Sequence, residues 1–271
     1  MGRFDGKVAF ITGAARGQGR SHAVRLASEG AHVVISDICG PVDHNLIKPA
    51  SADDFETTIQ AIAEAAPASK VLSRQVDVRD AAALEQLGAD AVAQFGHIDI
   101  VVANAGILNW AEFNDYTTEM FTAVIDTNLT GVFNTVRATV PHMIEAKRGG
   151  SVILISSAAG IKGQPFTLGY TAAKHGVIGI CRGLANELGE HNIRVNSIHP
   201  SGVATAMGDA NGLMEIITKH GATMGPLFMN TLPTLMADPS DISNAVAFLA
   251  SDESSMITGL QMKVDMGTTN R

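Results

Sequence analysis

The chain has 271 residues, 46% of them hydrophobic and 17% charged, with 27 glycines and few aromatics. Its 27 Asp and Glu against 19 Lys and Arg give a net charge of −8 without a basic run, which argues against nucleic-acid or anionic-membrane partners. An α/β chain of this size forms one or two domains and buries roughly three quarters of its unfolded surface, so it needs no disulfide or metal staple.

The predicted elements alternate strand and helix. An apolar run at 8–11 opens into Thr12-Gly13-Ala14-Ala15-Arg16-Gly17-Gln18-Gly19 and then a helix at 21–30. Glycine permits a sharp turn and lets a phosphate approach main-chain N–H groups at a helix N-terminus. A glycine triplet alone can be a mere tight turn; between an apolar strand and a helix it is the dinucleotide-binding arrangement. A second strand at 32–36 is followed by Asp37, 18 residues beyond Gly19. A carboxylate there accepts hydrogen bonds from ribose hydroxyls and repels a 2′-phosphate, which favours NAD over NADP. The plainer alternative is a capping Asp, and Arg16 in the turn is a cation that would suit NADP. Residues 38–54, ICGPVDHNLIKPASADD, then interrupt the alternation as an insertion expected beside the adenosine.

A third strand at 71–76 precedes Asp77-Val78, where a carboxylate can hold the adenine amino group, and a helix follows at 80–96. The fourth strand, 98–103, leads into Asn104-Ala105-Gly106, small residues that leave room for a cofactor. Each of these is equally ordinary turn chemistry; together they line the carboxyl edge of an open sheet, where ligands bind. After a long helix at 117–146, a fifth strand at 152–156 runs into Ser157, and Tyr170 and Lys174 lie in a helix at 169–189. The four-residue spacing puts phenol and ammonium on one helix face. A phenol has a pKa near 10, and a cation within ~4–6 Å lowers it. A shift of ~3 units asks for roughly 4 kcal/mol, within reach of Lys174 plus a positive nicotinamide ring. On its own the pair is more often a solvated helix face. A sixth strand at 194–198, a stretch at 205–239 with five of the eleven methionines, a helix at 239–251 and a strand at 260–264 complete the order. Near-continuous apolar strands between helices predict a Rossmann-type, doubly wound parallel sheet of about seven strands, with helices on both faces of a single domain.

Along nearly its whole length the chain resembles the single-domain short-chain dehydrogenases/reductases. The motifs that carry this are the glycine turn, Asn104-Ala105-Gly106, Asp126-Thr127-Asn128-Leu129-Thr130-Gly131, Ser157, Tyr170-Thr171-Ala172-Ala173-Lys174 and the run from Arg194 to Gly202. The resemblance implies Tyr170 as general acid/base, Ser157 on the substrate oxygen, and Lys174 on the nicotinamide ribose. It implies a water at Asn128 linking Lys174 to solvent, and a nicotinamide bracketed by Pro200, Val203 and Thr205. The sequence departs from the family at Ala103 and in the tail Val264-Asp265-Met266-Gly267-Thr268; His199 reads as structural. Residues 36–41 and the insertion are similar to an actinobacterial subgroup called carveol-dehydrogenase-like, associated with mycofactocin and with a nicotinamide that does not exchange freely.

The apolar 205–239 stretch suits a substrate loop, since methionine adapts to irregular apolar ligands. That predicts a terpenoid, alicyclic or steroid-like secondary alcohol or ketone; an ordinary packed helix pair is the alternative. Two rival functions remain: a sugar-nucleotide epimerase or dehydratase, and a non-catalytic nicotinamide-sensing protein on the same fold. The family commonly forms homotetramers through the helices at 117–146 and 169–189. Cys39 and Cys181 fit a reduced compartment, and residues 1–7 lack a signal peptide's apolar stretch. No uncharged apolar run reaches the ~18 residues of a membrane-spanning helix. A cytoplasmic protein without a metal site is expected.

Overall fold

A computed structural model describes residues 2–208 and 211–270; Asp209 and Ala210, inside the predicted substrate loop, lie outside the described residues, as do Met1 and Arg271. Seven parallel strands make one sheet: β1 (Val8–Thr12), β2 (His32–Asp37), β3 (Val71–Gln75), β4 (Ile100–Ala103), β5 (Gly150–Ile155), β6 (Ile193–Pro200) and β7 (Gln261–Val264). Their order across the sheet is β3-β2-β1-β4-β5-β6-β7. β1 pairs with β2 through Val8↔His32 to Thr12↔Ser36 and with β4 through Ala9↔Ile100 to Ile11↔Val102. The strand order therefore reverses between β1 and β4, and this switch point opens a crevice at their carboxyl ends.

Alternation along the strands builds two cores. Val8 and Phe10 face one side, with Leu84 and Leu87 of α3 (Ala81–Phe95), Val136 and Met143 of α5 (Gly131–Ala146), and Val177 and Cys181 of α6 (Leu168–Leu188). Ala9 and Ile11 face the other, with Ala23 and Leu26 of α1 (Gly17–Ser28), Phe55 and Ile62 of α2 (Ala52–Ala65), and Ile242 and Val246 of α9 (Pro239–Ala250). Because both faces are covered, β1 and β4 are buried at every position, which is why their sequences read as unbroken apolar runs.

The structure redraws some boundaries. Helix α1 begins at Gly17, four residues before the predicted start, because the glycine turn forms its first turn. Ser51 and Asp54 form a reciprocal capping box that starts α2 at Ala52, so the insertion occupies residues 38–51 rather than 38–54. The predicted helix at 117–146 is three pieces: α4 (Thr118–Ile125), a π-helical turn at Asp126–Thr130, and α5. The 205–239 stretch contains α7 (Asn211–Lys219), α8 (Gly221–Met224) and a 3₁₀ turn at Gly225–Phe228. Among the described residues no helix is long and apolar enough to cross a membrane.

Candidate active site

The glycine turn sits at the switch point. Gly13 has φ +68°, and a Cβ on it would meet the Ala105 Cα at 2.7 Å; one on Gly19 would lie 2.1 Å from the Gly13 carbonyl oxygen. Only glycine allows this packing of turn, helix and β4 loop. Asn104 stitches the same place together: its Nδ2 donates to the carbonyls of Thr12 and Gly13, both at 3.0 Å. Helix α1 has no side-chain cap and no acidic residue in its first turn, and Gln18 has a buried Oε1 without a partner. Uncapped N–H groups at a helix N-terminus are the donors a diphosphate requires. Thr205 belongs here as well, since a Cβ on Gly17 would lie 3.1 Å from its Cγ2. These residues fit a dinucleotide.

Asp37 makes the main-chain bonds that the capping alternative expects. One carboxylate oxygen accepts from Ala15 N–H at 3.0 Å and the other from Cys39 N–H at 3.0 Å, so it joins the glycine turn to the start of the insertion. Arg16 donates to the Lys48 carbonyl within the insertion instead of standing free for a 2′-phosphate. Asp77 is clasped by Arg79 at 2.6 Å. Burial pushes the Asp77 pKa up, but the Arg79 hydrogen bonds and charge bring it below the usual carboxylate value. Val78 is buried, and its carbonyl accepts from Asn134 Nδ2 at 2.9 Å.

Strand β5 delivers Ser157 and α6 delivers Tyr170 and Lys174. Lys174 is 3% exposed, its ammonium donates to the Ile155 carbonyl at 2.8 Å, and it lies 5.5 Å from the Tyr170 ring centroid. Ser157 Oγ accepts from Ala159 N–H at 3.1 Å and faces the Pro200 carbonyl at 3.5 Å. Burial pushes the Tyr170 phenol above its ordinary pKa, partly offset by hydrogen bonding with Ser157. Burial also lowers the Lys174 pKa to about 8. The expected depression of the Tyr170 pKa is therefore absent from the protein alone, because burial outweighs the hydrogen bond with Ser157.

Asn128 packs against the loop that follows β4. Its Oδ1 accepts from Ile107 N–H at 2.8 Å and its Nδ2 donates to the Ile107 carbonyl at 2.9 Å. The amide fastens the loop after β4 with one of its two N–H groups and its oxygen. Buried His199 lies between the Ser157 carbonyl (Nδ1, 2.9 Å) and Ser197 Oγ (Nε2, 2.8 Å), a structural placement next to the site. The atypical tail has a clear use. Asp265 accepts from the amides of Gly267 at 3.0 Å and Thr269 at 2.9 Å. Met266 then accepts from the amides of Thr231 (2.9 Å) and Leu232 (3.0 Å), pinning the 205–239 segment.

The insertion reaches farther than the adenosine end. Leu46 N–H donates to the Leu108 carbonyl at 3.1 Å, and Asn45 Oδ1 accepts from Leu108 N–H at 3.3 Å. Ile47 is buried in one cluster with Leu108 and with Leu213 and Ile217 of α7, and Trp110, Phe166, Tyr170 and Phe228 pack against that cluster. Val42 joins a second cluster with Ile107 and Ala173, which Tyr170 also borders. The insertion and the 205–239 segment thus pack together in apolar clusters that Tyr170 borders. Asn45 and Ile47 were not singled out from sequence; the signal was the apolar residues Val42, Leu46 and Ile47 within the loop.

The matching family model is described as enoyl-(acyl carrier protein) reductase and spans residues 13–269. The chain belongs to the short-chain dehydrogenase/reductase family. It is 46% identical to an uncharacterised NAD-dependent oxidoreductase of Mycobacterium tuberculosis, over 98% of this chain and 97% of that one. It is 42% identical to the (−)-trans-carveol dehydrogenase of Rhodococcus erythropolis, over 99% of both chains. The solved carveol dehydrogenase of Mycobacterium avium, in complex with NAD, is 44% identical and superposes with a TM-score of 0.94 over 100% of both chains. The seven-strand order and the placement of Ser157, Tyr170 and Lys174 along one sheet edge accord with that membership.

Proposed function

We propose that the protein is an NAD-dependent oxidoreductase that moves hydride between nicotinamide and an apolar secondary alcohol or ketone of terpenoid, alicyclic or steroid-like shape. The observation that carries this reading is the placement of Tyr170, at once beside Lys174 and against an apolar wall of Ile47, Leu108, Leu213 and Ile217. Nicotinamide supplies the hydride chemistry when bound. The uncapped start of α1 with Gly13, Arg16, Gly17, Gln18 and Gly19 would hold the diphosphate, Asp37, Asp77 and Val78 the adenosine, and Asn104, Ala105, Gly106, Pro200, Val203 and Thr205 the nicotinamide half. Ser157 orients the substrate oxygen, Tyr170 takes the hydroxyl proton on oxidation, and Lys174 favours the phenolate. Asn128 sets the loop that faces them. The cofactor does the redox step, while the side chains orient and transfer the proton.

The M. avium complex with NAD and the carboxylate at Asp37 support NAD over NADP. The insertion, fastened at Arg16, Leu108 and Ile47, supports slow release of the cofactor, and hence re-oxidation by a second redox partner of the mycofactocin type. A homotetramer is supported by exposed Phe121 (37%), Phe133 (53%) and Leu168 (47%) on α4, α5 and α6, and a cytoplasmic location by two free cysteines. The test is a panel of cyclic apolar alcohols against polyols and sugars, with Tyr170→Phe as control. Oxidation of the apolar set, abolished in the variant, is expected; faster polyol oxidation would sink the substrate class. Dialysis of purified protein, followed by mass spectrometry of the released nucleotide, checks retention.

A further inference from the structure

Helix α6 starts without a cap of its own. Thr167 precedes it, yet its hydroxyl donates to the Gln164 carbonyl at 3.3 Å, and the first intrahelical bond is Thr171 N–H to the Thr167 carbonyl at 2.9 Å. The amides of Leu168, Gly169 and Tyr170 thus fall in the turn that has no intrahelical acceptors. One of them is met from outside the helix: Gly169 N–H donates to the Tyr116 hydroxyl oxygen at 3.1 Å. A Cβ on Gly169 would come within 2.7 Å of that oxygen, so the close approach needs glycine. The Tyr116 hydroxyl in turn donates to Asn109 Oδ1 at 2.6 Å. Asn109 is fully buried, and its Nδ2 donates to the His44 carbonyl in the insertion at 3.1 Å and to the Met120 carbonyl in α4 at 2.8 Å.

We infer that Tyr116 is a positioning residue for Tyr170: its hydroxyl supplies the missing cap of α6 and ties that turn, through Asn109, to the insertion. This rests on the reading of Tyr170 as the acid/base group. Tyr170 follows Gly169 directly, so slack in the turn moves the phenol relative to Ser157 while leaving the apolar wall in place. Tyr116 and Tyr170 are the only tyrosines in the chain. The first thereby sets the second.

The experiment is Tyr116→Phe in the protein as purified, which keeps the ring and removes the hydroxyl. Because a small misplacement of a reacting group is costly, kcat should fall about tenfold with KM within about twofold. The acid limb of the oxidation rate should move to higher pH as Tyr170 loses its setting beside Ser157. In hydrogen exchange, the Gly169 and Tyr170 amides should exchange several-fold faster, as expected for one lost hydrogen bond. Gly169→Ala keeps Tyr116 but forces its oxygen away; it should give the same pair of changes and serves if Tyr116→Phe fails to fold. Unchanged kcat and pH profile in both variants, or unchanged exchange at Gly169, overturns the inference. Should the unsubstituted protein oxidise no secondary alcohol, the reading of Tyr170 fails separately, and amide exchange still decides whether Tyr116 caps the turn.

Discussion

Asp37 offers a prediction that separates two roles of one carboxylate. It accepts two main-chain hydrogen bonds, from Ala15 and Cys39, both at 3.0 Å. Asp37→Asn keeps the shape but leaves one acceptor; its NH₂ must then face a main-chain N–H. Hydrogen bonds to charged groups contribute about 1.5–3 kcal/mol each, so losing one costs about 2 kcal/mol. For a chain of this size that is a fall in Tm of roughly 4–8 °C. The assay is thermal unfolding of nucleotide-free protein, followed by titration with NAD and NADP. We expect the Tm to fall before any nucleotide is added, NAD binding to weaken, and the preference for NAD over NADP to narrow. Weaker NAD binding with an unchanged nucleotide-free Tm would refute the reasoning, because Asp37 would then act on the ribose alone.

Asn128→Ala strands the buried N–H and carbonyl of Ile107, at about 1–3 kcal/mol each, and calorimetry should show a lower Tm even without cofactor. Lys174→Met removes the cation beside a phenol that burial already disfavours as phenolate. Oxidation should slow by roughly 10²–10⁴, as for loss of acid–base catalysis, with its acid limb at higher pH in a stopped-flow pH profile. Burial lowers the Lys174 pKa to about 8, so this cationic assistance declines as pH rises through that value. His22 is buried on the α1–α9 side, where desolvation lowers its pKa from 6.5 to about 3. The unfolded chain takes up a proton there below pH 6.5 and the folded one does not, so stability falls as pH drops from 6.5 towards 3. His22→Gln should flatten the urea-derived stability curve by up to about 1.4 kcal/mol per pH unit in that window.

The fold was legible because its strands are buried on both sides and its helices on one, so period and length mark each element. All seven predicted strands and the glycine turn stand where the sequence places them, within a residue or two. The placement of single residues was legible where a residue type is rare and its spacing specific, as with Tyr170 and Lys174 at helical spacing behind a strand running into Ser157. What escaped are contacts between segments distant in sequence. Nothing local tells that Asn128 spends its amide on Ile107, that the insertion's Ile47 packs with Leu213, or that Tyr116 caps a helix 53 residues later. The π turn was not read from the sequence, although Asp126, Thr127, Asn128 and Thr130 are weak helix formers. The tail's role in pinning the 205–239 segment depends on the left-handed backbone at Met266 (φ 52°), which a methionine does not advertise.

The central claim is that Tyr170 passes the proton while hydride moves between nicotinamide and an apolar secondary alcohol. Single-turnover reduction of enzyme-bound NAD by a cyclic secondary alcohol, read as the absorbance of reduced nicotinamide, tests this whether or not the cofactor exchanges. The account predicts a rapid stoichiometric rise in the unsubstituted protein and a rise slower by roughly 10² or more in Tyr170→Phe, with NAD content unchanged. Equal rates in the two proteins would contradict it.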